Sequence, residues 1–293
     1  MSNTTKTPKT MGTSKTTERS SAQRINWRST PTYVYLTVVA LLVAGPVLFA
    51  FVGAFTPTGT IIGGGAPWFT AWTLENFSTA FRNSPLLAQF GNSVLVTLAQ
   101  ASLQLVTSLM AAYALVFGNL KRPNLVLAFF LVTMMIPSET TIIANYLTIR
   151  SIGLFDTLIA VFIPFATSAY AVFLFRQAFK SFPKEIHEAA VLDGVGPVAF
   201  LFRFLLPLNK PIVMTISLVS AIAAWNGYLW PLLITESPSS RTVQVGVAAL
   251  SDSLSVDVGS VLAGLAFVSL PMLILVIFGQ KFLTKGLTQG AVK

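Results

Sequence analysis

Six stretches of the chain, at 33–55, 90–116, 125–147, 157–178, 211–234 and 259–282, run apolar with almost no charge. A hydrocarbon core of roughly 30 Å takes about 20 residues of helix to cross, and each stretch is that long. In lipid every backbone N–H and C=O must find its partner within the chain, so runs of this kind fold as helices. The expectation is an all-α, polytopic membrane protein with six transmembrane helices. Composition agrees: 54% of the residues are hydrophobic, 10% are charged and 23 of 293 are Phe, outside the range of a soluble globular domain. The absence of Cys removes disulfide frameworks, thiolate nucleophiles and Cys-ligated metals, and a single His with 10 carboxylates is a poor stock for a multi-ligand metal site.

Basic residues orient such a chain, because Lys and Arg stay in cytoplasmic loops. With the N-terminus inside, sixteen of the 19 fall on the inner side, among them Lys121, Arg122, Arg176, Lys180, Lys184, Arg203 and Lys210. The outer side receives only Arg82, Arg150 and Arg241. Both termini are then cytoplasmic, and the net charge of +9 reflects topology and not nucleic-acid binding. Residues 1–30, rich in Ser, Thr and Lys, have too few apolar side chains to offset the entropy of ordering and are expected to form a disordered cytoplasmic tail. The remainder, 31–293, is expected to be one six-span domain. In the outer loop at 56–89, an amphipathic stretch at 74–81 with Trp68 and Trp72 nearby suggests an interfacial helix.

The inner loop at 181–210 interrupts the apolar pattern. Ser181 is placed to cap a helix, Pro183 suits its first turn, Glu185 and Glu188 favour its positive end, and Gly194 is placed to stop it. A second piece follows from Pro197, closing at Pro207. Ala189 and Ala190 leave a shallow face that another protein's backbone can approach, with Glu188 and Asp193 at its rim. No base, nucleophile or metal ligand accompanies these carboxylates, so docking fits them better than catalysis. His187 reads as an exposed surface contact.

Polar residues inside the spans point to a translocation path, since they face the bundle or a wet cavity. Gln100, Gln104 and Ser108 recur every fourth residue, with Thr97 and Thr107 beside them, on one helical face. Lining a path and hydrogen bonding between helices account for them equally well. Glu139, two residues after Pro137, is the one carboxylate placed within a span, either beside a cavity or at a subunit contact. Trp225, Asn226 and Tyr228 offer ring faces and hydrogen-bonding groups suited to a sugar, and an aromatic belt competes with that reading.

Glu188-Ala189-Ala190 followed by Asp193-Gly194 and the apolar run ending in Leu206-Pro207 resembles the cytoplasmic EAA loop of binding-protein-dependent ABC importer permeases. Further segments resemble the carbohydrate-uptake (maltose and glycerol-3-phosphate) branch: Asn92-Ser93, Ala112-Tyr113-Ala114, Ile136-Pro137-Ser138-Glu139, Gly153-Leu154, Arg176-Gln177, Trp225-Asn226 through Trp230-Pro231, and the tail Gly286 to Lys293. Among branch members the likeness is greatest to the glycerol-3-phosphate permease subunit; Val195 departs from the usual small residue after the glycine. The resemblance implies the type I importer permease fold in a bacterial or archaeal cytoplasmic membrane. It also implies a second permease subunit forming a heterodimer, an ATPase dimer beneath and an extracytoplasmic solute-binding protein above. Residues His187, Glu188, Ala189, Ala190, Asp193 and Gly194 would form the coupling helix seated on the ATPase, and Gly286, Thr288, Gly290 and Lys293 a second ATPase contact. The chain lacks a Gly-x-x-x-x-Gly-Lys-Ser/Thr loop, so no cofactor is expected on it, with ATP and Mg on the partner ATPase, and it is expected not to be an enzyme. The implied cargo is a sugar or glycerol-phosphate solute: glycerol-3-phosphate, a glycerophosphodiester or an oligosaccharide. An ion-coupled secondary transporter is the alternative, against which stands the shortage of intramembrane acids.

Overall fold

The computed structural model describes residues 30–63, 71–251 and 257–288, and the expected tail before Thr30 lies outside them. The chain divides after Pro46 into two compact units, and helix α1 (Thr30–Ala54) crosses that division. Within the second unit, α2 (Thr58–Gly63) and α3 (Glu75–Asn83) follow the end of α1. α3 is the expected amphipathic helix. Its buried Asn76 donates through Nδ2 to the carbonyls of Ala54 (3.0 Å) and Thr56 (2.8 Å), groups that the end of α1 leaves without helical partners.

α4 (Leu86–Phe117) is the axis of this unit and begins four residues earlier than the apolar run, because Leu86 and Gln89 are buried despite the polar sequence around them. Its exposed face is apolar, with Leu87, Leu95, Leu98 and Met110, and its buried face carries Gln89, Ser93, Thr97, Gln100, Gln104 and Ser108. That is the inverse of a water-soluble helix, as a lipid solvent requires. Against α4 pack α8, α12 and α14. At Gly246 in α14 the approach is so close that a Cβ would lie 1.7 Å from Gln89 Oε1.

Three of the expected spans are not single helices. The third divides into α5 (Pro123–Thr133) and a segment ending in α6 (Ile142–Ser151), bent by 85°. Pro137 has no N–H to donate and disfavours helical dihedrals at Ile136, so the ladder ends there. The fourth divides into α7 (Leu158–Phe162) with its 3-10 continuation and α8 (Ala169–Lys180), bent by 47°. Beyond it α9 (Lys184–Leu192), α10 (Pro197–Phe200), a π-turn at Leu201–Leu205 and α11 (Leu206–Leu208) build the loop. This loop turns by 90° into α12 (Lys210–Trp225). The fifth run breaks again at Asn226–Tyr228 before α13 (Leu229–Ile234), then α14 (Val243–Ser251) and α15 (Val258–Thr288) complete the described chain. By length and composition α1, α4 and α15 can each cross a membrane, and the bent pairs bring the number to six at most.

α9 stops at a Schellman motif. Gly194 has φ +73°, the N–H of Val195 donates to Ala190 O at 2.9 Å, and that of Gly194 to Val191 O at 3.0 Å. The apolar contact that accompanies the motif is present: Ala190 is buried, and Val195 packs against the same cluster.

At the other end of α4 the chain is tied by a polar knot. Asp156, at φ +59°, donates its N–H to Ile234 O. Its carboxylate accepts from the N–H groups of Glu236 (2.8 Å) and Ser237 (3.0 Å) and from the hydroxyls of Ser237 and Ser240. Asn92 of α4 holds the same loop by donating to Ser239 O and Arg241 O. Partial burial raises the Asp156 pKa on its own, but the two serine hydroxyls and two N–H groups outweigh it and hold the carboxyl far below the usual carboxylate range.

Gly194→Ala imposes left-handed strain of about 1 kcal/mol without a clash, since no atom lies within 4 Å of the added Cβ. Ala190→Leu overpacks a closed site and costs about 1–3 kcal/mol. Both variants are expected to lower the thermal midpoint of the purified protein, the second more. Asp156→Ala removes the acceptor of the Glu236 and Ser237 N–H groups and of the Ser237 hydroxyl, while Ser240 Oγ keeps Ser237 O, and at this partly exposed site the loss is roughly 1 kcal/mol. Because the native pKa is depressed, that contribution is present above about pH 4 and fades as pH falls below it. The difference in midpoint between wild type and Asp156→Ala should stay constant from neutral pH down to about pH 5 and shrink at lower pH.

Candidate functional site

α9 has an inner and an outer face. Ala190 is buried against Phe175 and Phe179 of α8, Phe200 of α10 and Leu205. It therefore does not contribute to a shallow outer surface, and the exposed small residue is Ala189. His187 is also drawn inward. Its ring lies 4.6 Å from that of Phe117, at the end of α4, and 4.9 Å from that of Phe200, so it is half-buried between aromatic rings and not an exposed contact. Ser181 is not the cap of α9: its N–H donates to Gln177 O and its hydroxyl to Ala178 O, which closes α8, and Pro183 precedes α9 instead.

Glu188, Asp193 and Gly194 are exposed. Glu185, Glu188 and Leu192, at i, i+3 and i+7, share the face opposite Ala190. Leu192 is 87% exposed, and Val198 stands 69% exposed just beyond the turn. Sequence reading passed over these two apolar side chains. The signal was available, since Leu192 repeats the helical position of Glu188 one turn on.

The polar residues of α4 converge on the break in the fourth run. Gln104 Nε2 donates to Phe165 O at 2.8 Å, Thr107 Oγ1 to Ala166 O at 2.8 Å, and Ser108 Oγ to Ser168 O at 3.3 Å. The Phe165 and Ala166 carbonyls lie where the helix is interrupted, so Gln104 and Thr107 replace missing ladder bonds there, while Ser168 O also accepts from the Val172 N–H at 3.0 Å and gains Ser108 as a second donor. Gln100 is buried on the same face, and no partner is found for the buried Thr97 Oγ1 among the described residues.

Of the other path candidates, Trp225 is a core residue. It packs edge-on to Phe90 at 5.4 Å between centroids and donates Nε1 to Val268 O at 3.2 Å. Trp230 is buried likewise and donates to Ala160 O, so neither ring is free to stack on a ligand. Asn226 and Tyr228 are exposed at the break between α12 and α13. Glu139 is exposed at the bend of the third run, where it accepts from Ser138 Oγ at 3.0 Å, and Met135 and Ile143 beside it are 82% and 71% exposed.

A cleft of about 410 Å³ between α4, α12 and α15 is lined almost wholly by apolar side chains, with Ser102 and Ser217 as its hydroxyls. A second, of about 360 Å³, opens between the ends of α4 and α8 and α9 and includes Glu188. Of the C-terminal candidates, Gly286 and Thr288 belong to the last turns of α15, while Gly290 and Lys293 lie outside the described residues.

Comparison with known proteins agrees with this architecture. Residues 104–289 match the family described as "Binding-protein-dependent transport system inner membrane component". The chain is 30% identical over 280 residues to the arabinooligosaccharides transport system permease protein AraQ of Halalkalibacterium halodurans, an alignment covering 94% of this chain and 99% of that protein. It is 28% identical over 267 residues to the sn-glycerol-3-phosphate transport system permease protein UgpE of Yersinia pestis, covering 88% and 95%. A bacterial ABC transporter involved in the import of the acidic polysaccharide alginate superposes with a TM-score of 0.76 at 23% identity, over 86% of this chain and 94% of that one, which speaks for the fold. With the family match spanning well over half its length, this chain belongs to the inner membrane components of binding-protein-dependent transport systems, the permeases of ABC transporters.

Proposed function

We propose that this chain is one permease subunit of an ATP-driven importer and that α9 is the helix on which a separate ATPase acts. The observation that carries the reading is the asymmetry of α9. Its inner face is locked into the bundle through Ala190, Val195 and His187, and its outer face presents Glu185, Glu188 and Leu192. A helix rooted in this way transmits displacement to α4, α8 and α12, whereas a helix on a loose tether absorbs it. Glu188 supplies charge pairing and Leu192 with Val198 the apolar contact, while Gly194 sets the turn between them.

The remaining assignments follow from that reading. The distribution of Lys and Arg puts α9 and both termini on the cytoplasmic side. ATP and Mg belong to the ATPase, a dimer on the family pattern, and the C-terminal residues from Gly286 onward form its second contact. An extracytoplasmic binding protein delivers the solute on the side of the Asp156 knot. The exposed apolar flank around Met135, Glu139 and Ile143 is the surface for a second, different permease subunit. Cargo is a sugar or glycerol-phosphate solute, in keeping with relatives whose names cover arabinooligosaccharides and glycerol-3-phosphate. Asn226 and Tyr228 face the path, whereas Gln104 and Ser108 shape it by holding the broken helix.

Glu188→Lys tests the coupling role. The side chain is exposed, so the variant should assemble in the membrane with unchanged thermal stability. Reversing one member of a buried interfacial charge pair costs about 2–5 kcal/mol, so ATP-dependent uptake into proteoliposomes should fall ~30-fold or more. Undiminished uptake by Glu188→Lys removes the docking role from this residue.

A further inference from the structure

The cavity of about 360 Å³ beside α9 holds charge that the chain does not neutralise. Arg176 lines it and is 8% exposed. Its Nη2 donates to Asn124 Oδ1 at 2.6 Å, and its Nε is buried without a hydrogen-bond partner. Among the described residues no carboxylate forms an ion pair with Arg176, Lys180 or Lys184, the three cations of the lining, and Glu188 is its one acid. A buried guanidinium with an idle donor is costly unless an acceptor meets it. The rest of the lining is His187 and the apolar side chains of Leu115, Val116, Phe117, Phe179 and Phe182.

We propose that this cavity binds the phosphodiester of an anionic phospholipid, with Arg176, Lys180 and Lys184 on the phosphate and the Phe side chains against the glycerol and upper acyl carbons. The place in the fold suits that ligand. α4 ends at Phe117 and α8 at Lys180, so the cavity opens at the ends of these two helices, which the orientation proposed above puts at the cytoplasmic edge of the membrane. Basic pockets between helices at the cytoplasmic face are suited to phospholipid head groups, and a half-apolar lining favours a lipid over a free, fully hydrated phosphate. The inference rests on the orientation proposed above. It makes the head group a neighbour of His187 and Glu188, so leaflet composition bears directly on the seating of α9.

The test is native mass spectrometry of the purified transporter, with both permeases and the ATPase present, titrated with phosphatidylglycerol and phosphatidylcholine of identical acyl chains. Wild type is expected to retain phosphatidylglycerol preferentially. The double variant Lys180→Gln/Lys184→Gln, at two exposed positions, is expected to reduce that preference about thirtyfold. Arg176→Gln should lose it as well, and the lysine variant stands if loss of the buried arginine prevents folding. Unchanged preference in the lysine variant overturns the proposal. So does displacement of the lipid by inorganic phosphate, which makes the ligand a soluble anion, and so does a preference seen only after the ATPase is stripped away, which makes the occupant a protein carboxylate. Orientation is read separately: the native chain has no Cys, so Ser181→Cys can be labelled with an impermeant maleimide in inside-out and right-side-out vesicles. Labelling from the outer side overturns the orientation and leaves the lipid measurement interpretable on its own.

Discussion

A broken helix in a membrane exposes carbonyls that no water can reach, and the second unit of this protein is organised around answering them. Gln104, Thr107 and Ser108 on α4 donate to Phe165, Ala166 and Ser168, the carbonyls at the interruption between α7 and α8. Such bonds are individually modest, about 0.6 kcal/mol on average between membrane helices, but leaving the Phe165 and Ala166 carbonyls unmet costs more, whereas Ser168 O has the Val172 N–H as well. The polar stripe of α4 thereby sets the rotation of that helix about its axis and its register against α8. Its apolar side chains are left for lipid or a partner.

With α4 fixed, both of its ends become attachment points. At one end Asn92 and the Asp156 carboxylate gather the loop at 236–240, using backbone N–H groups and serine hydroxyls. At the other, Phe117 meets His187 and Phe200, which seats α9 against the bundle. A single rigid helix thus connects the proposed solute-facing loop to the proposed ATPase-facing helix. The bends at Pro137, at 165–168 and at Asn226–Tyr228 are the places where the remaining helices can change direction relative to it. Rigid-body displacement of α9 would reach α8 and α12 through the packed cluster of Phe175, Phe179, Leu205 and Ile216.

The loop at 181–210 shows how far sequence reasoning reached. Gly194 was legible as a stop, because positive φ favours glycine and the Schellman geometry follows from it. The start was not, because Ser181 can cap either a following helix or close a preceding one, and the choice depends on how far α8 extends. Ala190 and Ala189 are adjacent and identical in type. Nothing local distinguishes the one that enters the core from the one that faces out, and Phe175 and Phe200, distant in sequence, make that choice. The same holds for Trp225 and Trp230, whose ring N–H groups find Val268 and Ala160 across the bundle.

Hydropathy, which is summed over a segment, needed only the sequence: six apolar runs and an all-helical membrane fold; the local pattern at 181–210 gave a short polar helix with a glycine stop, and the motif Glu188-Ala189-Ala190 with Asp193-Gly194 gave the likeness to a permease family. Bends, faces and partners required the tertiary structure. Whether a proline interrupts a span by 85°, which of two alanines is buried, and which carbonyl Gln104 reaches are settled by contacts between residues well separated in the chain. In a medium without water those contacts are the only means of satisfying the backbone, and their geometry exists only once the helices have assembled.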